Sequence, residues 1–154
     1  MSAVLSDKLP QLRQMRGADV RGVLRVENRV YEFPWTEVIF QDCLRAGYVC
    51  RVFATDTAVV GYGIMSVGAG ECHLLNLTIH PEYQRRGLGR QLIESLLEFA
   101  RQHKVRMAFL EARQSNVDAC RLYMELGFNE IGIRKNYYPA RNGREHAVIL
   151  AKML

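Results

Sequence analysis

The sequence lacks most of the signals that would place a chain in a specialised class. Its four cysteines (Cys43, Cys50, Cys72, Cys120) form no CxxC pair, which excludes a zinc knuckle or a thioredoxin-type redox motif. No two of the four histidines (His73, His80, His103, His146) stand at i, i+4, so no metal site is expected. The apolar runs fall far short of the roughly 20 residues that a membrane helix requires. The opening residues, MSAVLSDKLP, carry no apolar signal core. A cytoplasmic protein with reduced thiols is therefore expected, with no membrane partner. Internal repeats and low-complexity tracts are missing as well.

What is present is an ordinary globular composition. The chain has 154 residues, 49% hydrophobic and 24% charged, enough to bury one core. Residues 1–10 read as a flexible lead-in and 11–154 as a single domain. The net charge of +5 suits either nucleic acid or a multiply phosphorylated cofactor, and does not choose between them. Oligomeric state is not written in the sequence, and a monomer is the working expectation.

Hydrophobic periodicity orders the elements. Gln11–Met15 reads as a short edge strand, and Val20, Val23, Leu24, Val26 and Val30 as the apolar face of a helix beginning at Gly17. Phe33-Pro34-Trp35 breaks that helix, and Thr36 N-caps a second one running to about Arg45. Tyr48–Thr55 and Ala58–Val67 form a hairpin, in which Gly61 and Gly63 suggest a bulge or a close backbone approach. Glu71–Ile79 is a third strand, Leu88–His103 an amphipathic helix, and Arg106–Ala112 a strand ending at Glu111. Asn116–Leu126 is a short helix closed by Gly127. Phe128–Lys135 and Glu145–Lys152 are the last strands, separated by a long polar and aromatic loop, Asn136–Arg144. Short turns make the meander antiparallel, and the helix between strands 71–79 and 106–112 makes that pair parallel. The prediction is a mixed α+β fold, its sheet mostly antiparallel, with helices on both faces.

The stretch Asn76–Gln91, NLTIHPEYQRRGLGRQ, is the most informative. A buried strand stops at Pro81, passes through Gln84-Arg85-Arg86-Gly87-Leu88-Gly89 and enters a helix. Free N–H groups and the helix dipole favour an anion there. Gly87 and Gly89 let a phosphate approach the backbone, while Arg85, Arg86 and Arg90 add charge and forked donors. No Gly-Lys-Ser/Thr follows, so this is no Walker loop. A dinucleotide fingerprint needs a third glycine where Leu92 stands. By residues alone, a phosphate cradle and a plain turn with solvated arginines both remain open.

The pattern Gln-x-x-Gly-x-Gly resembles the coenzyme A pyrophosphate loop of the GNAT acetyltransferases. The predicted element order matches that family's fold. So does a second block, Asn116-x-x-Ala119-x-x-Leu122-Tyr123-x-x-x-Gly127-Phe128. Four stretches resemble the RimI branch, which acetylates the N-terminal alanine of a small-subunit ribosomal protein (protein eighteen). They are Phe33-Pro34-Trp35, Tyr83–Arg90, Leu110–Asn116, and Asn136–Pro139 with Asn142–Glu145.

The resemblance implies acetyl-CoA as cosubstrate, no metal, and the N-terminal peptide of that ribosomal protein as partner. It places the pyrophosphate on Arg85, Arg86, Gly87, Leu88, Gly89 and Arg90, with Asn116 also touching the coenzyme. Backbone groups of Leu77, Thr78 and Ile79 would meet the acetyl carbonyl and pantetheine, which requires the strands to splay near Ile79 and Glu111. Glu111 is implied as the base and Tyr123 as the acid; the plainer readings are a strand-end ion pair and a core aromatic. Phe33, Trp35, Tyr137 and Tyr138 are candidate substrate-side residues, or else loop anchors.

An α-amine with a pKa of about 7.7–8.0 needs less help from a weak carboxylate base than a lysine near about 10.4. A phenol near about 10 can protonate a leaving thiolate whose thiol lies near about 8.5. Two alternatives stay open: a GNAT enzyme for lysine side chains or small amines, and a basic nucleotide- or RNA-binding module. The latter lacks aromatic interleaving and any RNA motif.

Overall fold

The strands and helices follow from local chemistry that the sequence already displays. A computed structural model describes residues 9–154; of the expected lead-in, residues 1–8 lie outside the described residues. The elements are β1 (Gln11–Gln14), α1 (Val20–Val30), α2 (Glu37–Arg45), β2 (Val49–Ala54), β3 (Val59–Gly68), β4 (Glu71–Ile79), α3 (Leu88–Gln102), β5 (Met107–Arg113), α4 (Val117–Glu125), β6 (Asn129–Ala140) and β7 (Gly143–Met153). Single 3-10 turns lie at Gly17–Asp19 and Pro81–Tyr83. The seven strands form a mixed sheet in the order β1-β2-β3-β4-β5-β7-β6. Two units divide the chain: one holds the residues to Met65 together with Asn76–Leu96, the other Ser66–Leu75 with Leu97–Leu154. β3, β4 and α3 pass through both.

In the first unit, the expected helix from Gly17 starts instead as a 3-10 turn, and the α-helix begins at Val20. Asp19 explains the turn. It receives two hydrogen bonds from the Arg13 guanidinium, at 2.8 and 2.9 Å, and one from the Arg16 backbone N–H at 2.8 Å. The bond from Arg13 holds the Asp19 carboxyl below its usual range. Thr36 caps α2 as expected, accepting from the Ile39 N–H at 3.4 Å. Val20, Val23 and Val26 of α1 and Phe40 and Cys43 of α2 bury against Val52, Tyr62 and Ile64. Truncating Phe40, which is fully buried, would cost about 3–5 kcal/mol.

Successive strand residues face opposite sides. Tyr62 meets the edge of the Phe40 ring, centroids 5.8 Å apart. Its neighbour Gly63 meets α3: a Cβ there would lie 3.2 Å from Leu92 and 3.0 Å from Leu96. Within this unit β3 therefore carries helices on both sides, and Gly63 permits the close approach. Both expectations for Gly61 and Gly63 are met, since a bulge also lies beside them, where Ala54 pairs with Val59 and Phe53 with Gly61.

In the second unit, β5 buries Ala108, Leu110 and Ala112 and turns Phe109, Glu111 and Arg113 the other way. β4 and β5 run parallel over Glu71↔Met107 to Leu74↔Leu110, and both strands continue beyond the last pair. β5 then pairs antiparallel with β7 along its whole length. Asn116 caps α4, accepting from the Ala119 N–H at 3.3 Å, and Gly127 follows that helix at φ +95°.

One expectation is corrected. Asn136–Arg144 is not a long loop: β6 continues to Ala140 and β7 begins at Gly143, leaving a two-residue turn. Tyr137 and Tyr138 are good strand formers, and Pro139 is tolerated because β6 is an edge strand. The irregularity is confined to Arg134–Tyr138, where the register shifts and Asn136 adopts φ +54°.

Candidate active site

The residues singled out by sequence divide between the two units. The first unit holds the end of β4 and the glycine loop. Gln84 donates from its side chain to the Ile79 carbonyl at 2.9 Å, and Arg86 donates to the Glu82 carbonyl at 3.1 Å. Two side chains thus tie the loop back to the strand and turn before it. Arg86 also lies over the Tyr83 ring, 5.0 Å from its centroid. Gly87 sits at φ +81°, and nothing lies within 4 Å of where a Cβ would stand. The first bond of α3 runs from the Gln91 N–H to the Gly87 carbonyl at 3.1 Å. The N–H groups of Leu88, Gly89 and Arg90 therefore precede the first intrahelical bond. An open glycine, three leading N–H groups and exposed Arg85, Arg86 and Arg90 are the donor set that a pyrophosphate requires. The residues fit the group.

Behind the loop, Leu77 packs toward Gly63, and Thr78 is 3% exposed. The Thr78 carbonyl faces Gly61 of β3, 3.1 Å from where a Cβ there would stand. Trp35 packs on the core with its ring 5.3 Å from Phe40, whereas Phe33 is 43% exposed.

The second unit holds Glu111. Its cation is not the sequence neighbour Arg113 but Arg134, whose Nε donates to Glu111 Oε1 at 2.9 Å. Arg113 instead binds Glu145 at 3.0 Å and the Pro139 carbonyl at 2.9 Å. Register explains the exchange. Glu111 stands opposite Ile149 of β7, and Ile149 opposite Gly132 of β6. Gly132 offers no side chain in that row, and Arg134, two residues on and on the same face, reaches across. Sequence reasoning missed Arg134 because this pairing crosses two strands.

Tyr137 lies near enough to Glu111 to feel its carboxylate. Burial, and then the carboxylate's charge, push its phenol above the usual value. Tyr138 lies edge-on to Tyr137, with centroids 5.0 Å apart, and beneath the Arg113 guanidinium at 4.6 Å. Glu111 of β5 thus faces the β6–β7 hairpin, which supplies Arg134 and carries the two tyrosines. Tyr123 is half-buried on α4, its ring 6.2 Å from Phe128, and Asn116 is at the cap of the same helix. Burial raises all four thiols, Cys50 and Cys72 to about 11, the opposite of an activated nucleophile. No group of metal-ligating side chains occurs among the described residues.

Sequence reasoning also passed over Glu27. It lies on the apolar side of α1, is 2% exposed and accepts hydrogen bonds from three groups. Its signal was a carboxylate set among Val23, Val26 and Val30.

The profile of the acetyltransferase (GNAT) family matches residues 13–128. The [ribosomal protein bS18]-alanine N-acetyltransferase of Escherichia coli K12 is 36% identical over 140 residues, covering 91% of this chain and 95% of its own. Its namesake from Haemophilus influenzae is 32% identical, covering 91% and 96%. Among solved structures, the Escherichia coli ribosomal-protein-S18-alanine N-acetyltransferase superposes with a TM-score of 0.88 at 35% identity, covering 94% of both chains. Ard1 of Thermoplasma volcanium shares the fold at TM-score 0.85 and 22% identity, covering 96% of this chain and 99% of its own.

Proposed function

The chain belongs to the GNAT acetyltransferase family, and we propose that it transfers the acetyl group of acetyl-CoA to the N-terminal α-amine of an alanine-initiated protein, ribosomal protein bS18. One observation carries the reading: the 36% identity to the Escherichia coli enzyme of that name extends over 91% of the chain. A match of that length necessarily includes both the glycine loop and Glu111. This reading places the work in the cytoplasm, with 11–154 acting as one catalytic domain. No helix among the described residues is long and apolar enough to cross a membrane.

Acetyl-CoA supplies the activated acyl group. Its pyrophosphate is assigned to the Gly87–Arg90 N–H groups and the guanidinium groups of Arg85, Arg86 and Arg90, with Asn116 as a further contact. Leu77, Thr78 and Ile79 are assigned to the acyl end through their backbone. Glu111 takes the proton that the attacking amine must lose, and Tyr123 delivers one to the departing thiolate. Attack is direct, in keeping with four thiols whose pKa values are raised rather than lowered. Phe33, Trp35, Tyr137 and Tyr138 serve the peptide side, Tyr137 through its contact with Glu111.

The Arg134 ion pair favours a second reading of Glu111, as a structural strand-end carboxylate. An exposed pair is worth only about 0–1 kcal/mol, so an incoming ammonium can replace Arg134 at little cost. Release of CoA thiol separates the substrate classes. Peptides beginning with alanine should turn over, the same peptides blocked at the N-terminus should not, and free small amines should react poorly. Equal turnover of blocked, lysine-containing peptides would transfer the activity to side chains. Failure to release thiol with any acceptor tried would return the chain to the binding-module class.

A further inference from the structure

Glu27 is the carboxylate that this mechanism does not use. Burying such a group is costly unless it is fully hydrogen-bonded, and here three donors from three segments converge on it. The Tyr62 hydroxyl of β3 donates to Oε1 at 2.7 Å, and the Asn76 side-chain amide of β4 donates to the same oxygen at 3.0 Å. The Trp35 backbone N–H, between α1 and α2, donates to Oε2 at 2.9 Å. The network continues outward. Asn76 Oδ1 accepts from the Thr78 hydroxyl at 2.7 Å, and Thr78 shares a 2.7 Å hydrogen bond with the Tyr31 hydroxyl. Among the described residues, no buried side-chain nitrogen or oxygen lacks a partner.

An apolar residue of similar volume would fill the space but leave three buried donors without their acceptor, which costs stability. What an apolar residue cannot do is fix direction. The carboxylate joins Asn76 and, through it, Thr78 to the Trp35 turn. It therefore sets the placement of β4 over the residues next to Leu77–Ile79, and of the turn bearing Phe33 and Trp35. We propose that Glu27 is a positioning residue for acyl transfer, holding β4 from Asn76 to Ile79 and the Phe33–Trp35 turn in one fixed arrangement. This rests on the acetyltransferase reading above.

The test compares Glu27→Met and Asn76→Leu with the parent chain. Glu27→Met removes the acceptor with little change in volume, and Asn76→Leu cuts the hydrogen bond that β4 donates to Glu27. In either folded variant, kcat with an alanine peptide should fall about 10-fold or more, as small misplacements of reacting groups do. KM for acetyl-CoA should stay near the parent value, even though the three stranded donors lower the melting temperature of Glu27→Met. Without substrates, amide hydrogen exchange over residues 76–79 should quicken while that of α3 is unchanged. A folded variant with parental kcat, or with parental exchange over 76–79, overturns the proposal. If Glu27→Met does not fold, the same readouts on Asn76→Leu decide. A parent chain inactive on every alanine peptide would instead overturn the acetyltransferase assignment, leaving the exchange measurement to judge Glu27.

Discussion

Glu27 and Glu111 are two carboxylates that the fold treats in opposite ways. Glu27 is sealed in the first unit and held by three neutral donors. Glu111 stands on β5 of the second unit with its side chain 23% exposed, paired to an Arg134 that is 55% exposed. A carboxylate that must accept a proton from an arriving amine needs a partner that can leave. A carboxylate that must hold a strand in place needs partners that cannot. The difference in burial therefore separates a chemical role from a positioning role, although sequence shows only two glutamates near apolar residues.

The largest effect should come from Glu111→Gln. With the base removed and the shape kept, turnover is expected to fall by about 10²–10⁴-fold, while melting temperature changes little. Loss of stability in step with activity would reduce Glu111 to a structural ion pair. Tyr123→Phe should lower turnover less, with acetyl-CoA binding retained in equilibrium titration. Stability responds in the reverse sense at the other carboxylate. Glu27→Ala leaves the Tyr62, Asn76 and Trp35 donors without their acceptor, and urea denaturation should show a loss of about 3 kcal/mol or more. Glu111→Ala should cost less than about 1 kcal/mol, and equal losses would erase the comparison.

Arg134→Met sharpens it further. Stability should change by less than about 1 kcal/mol, and KM for the peptide should fall, because no cation has to be displaced from Glu111. A raised KM would show that Arg134 instead helps bind the substrate. The smallest effect concerns Glu145, whose carboxyl is held below its ordinary value of 4.5, first by hydrogen bonding from Ser115 and further by Arg113. A lowered folded-state pKa stabilises above the unfolded value and is lost as pH falls through the folded one. Thermal stability should therefore decline as pH drops below about 4.5, and this component of the decline should vanish in Glu145→Gln.

What the sequence disclosed follows the range of each interaction. The caps at Thr36 and Asn116 were legible because they bond three residues along the chain. The loop was legible because glycine and arginine announce an anion locally, and the parallel β4–β5 pair because a helix connects the strands. The β6–β7 hairpin was misread, since polar and aromatic composition resembles a loop until the edge position of β6 is known. Arg134 was invisible because its partner lies two strands away. The Glu27 network joins residues up to 49 positions apart, and only the misplaced charge on an apolar helix face hinted at it.

The proposed transfer can be followed by incubating the chain with acetyl-CoA and ribosomal protein bS18 bearing a free N-terminal alanine, then locating the product by fragment mass spectrometry. One acetyl group is expected on the alanine α-amine, formed by the parent chain and lost in Glu111→Gln. Acetyl groups on lysine side chains with the α-amine left free, or undiminished transfer by Glu111→Gln, would contradict it.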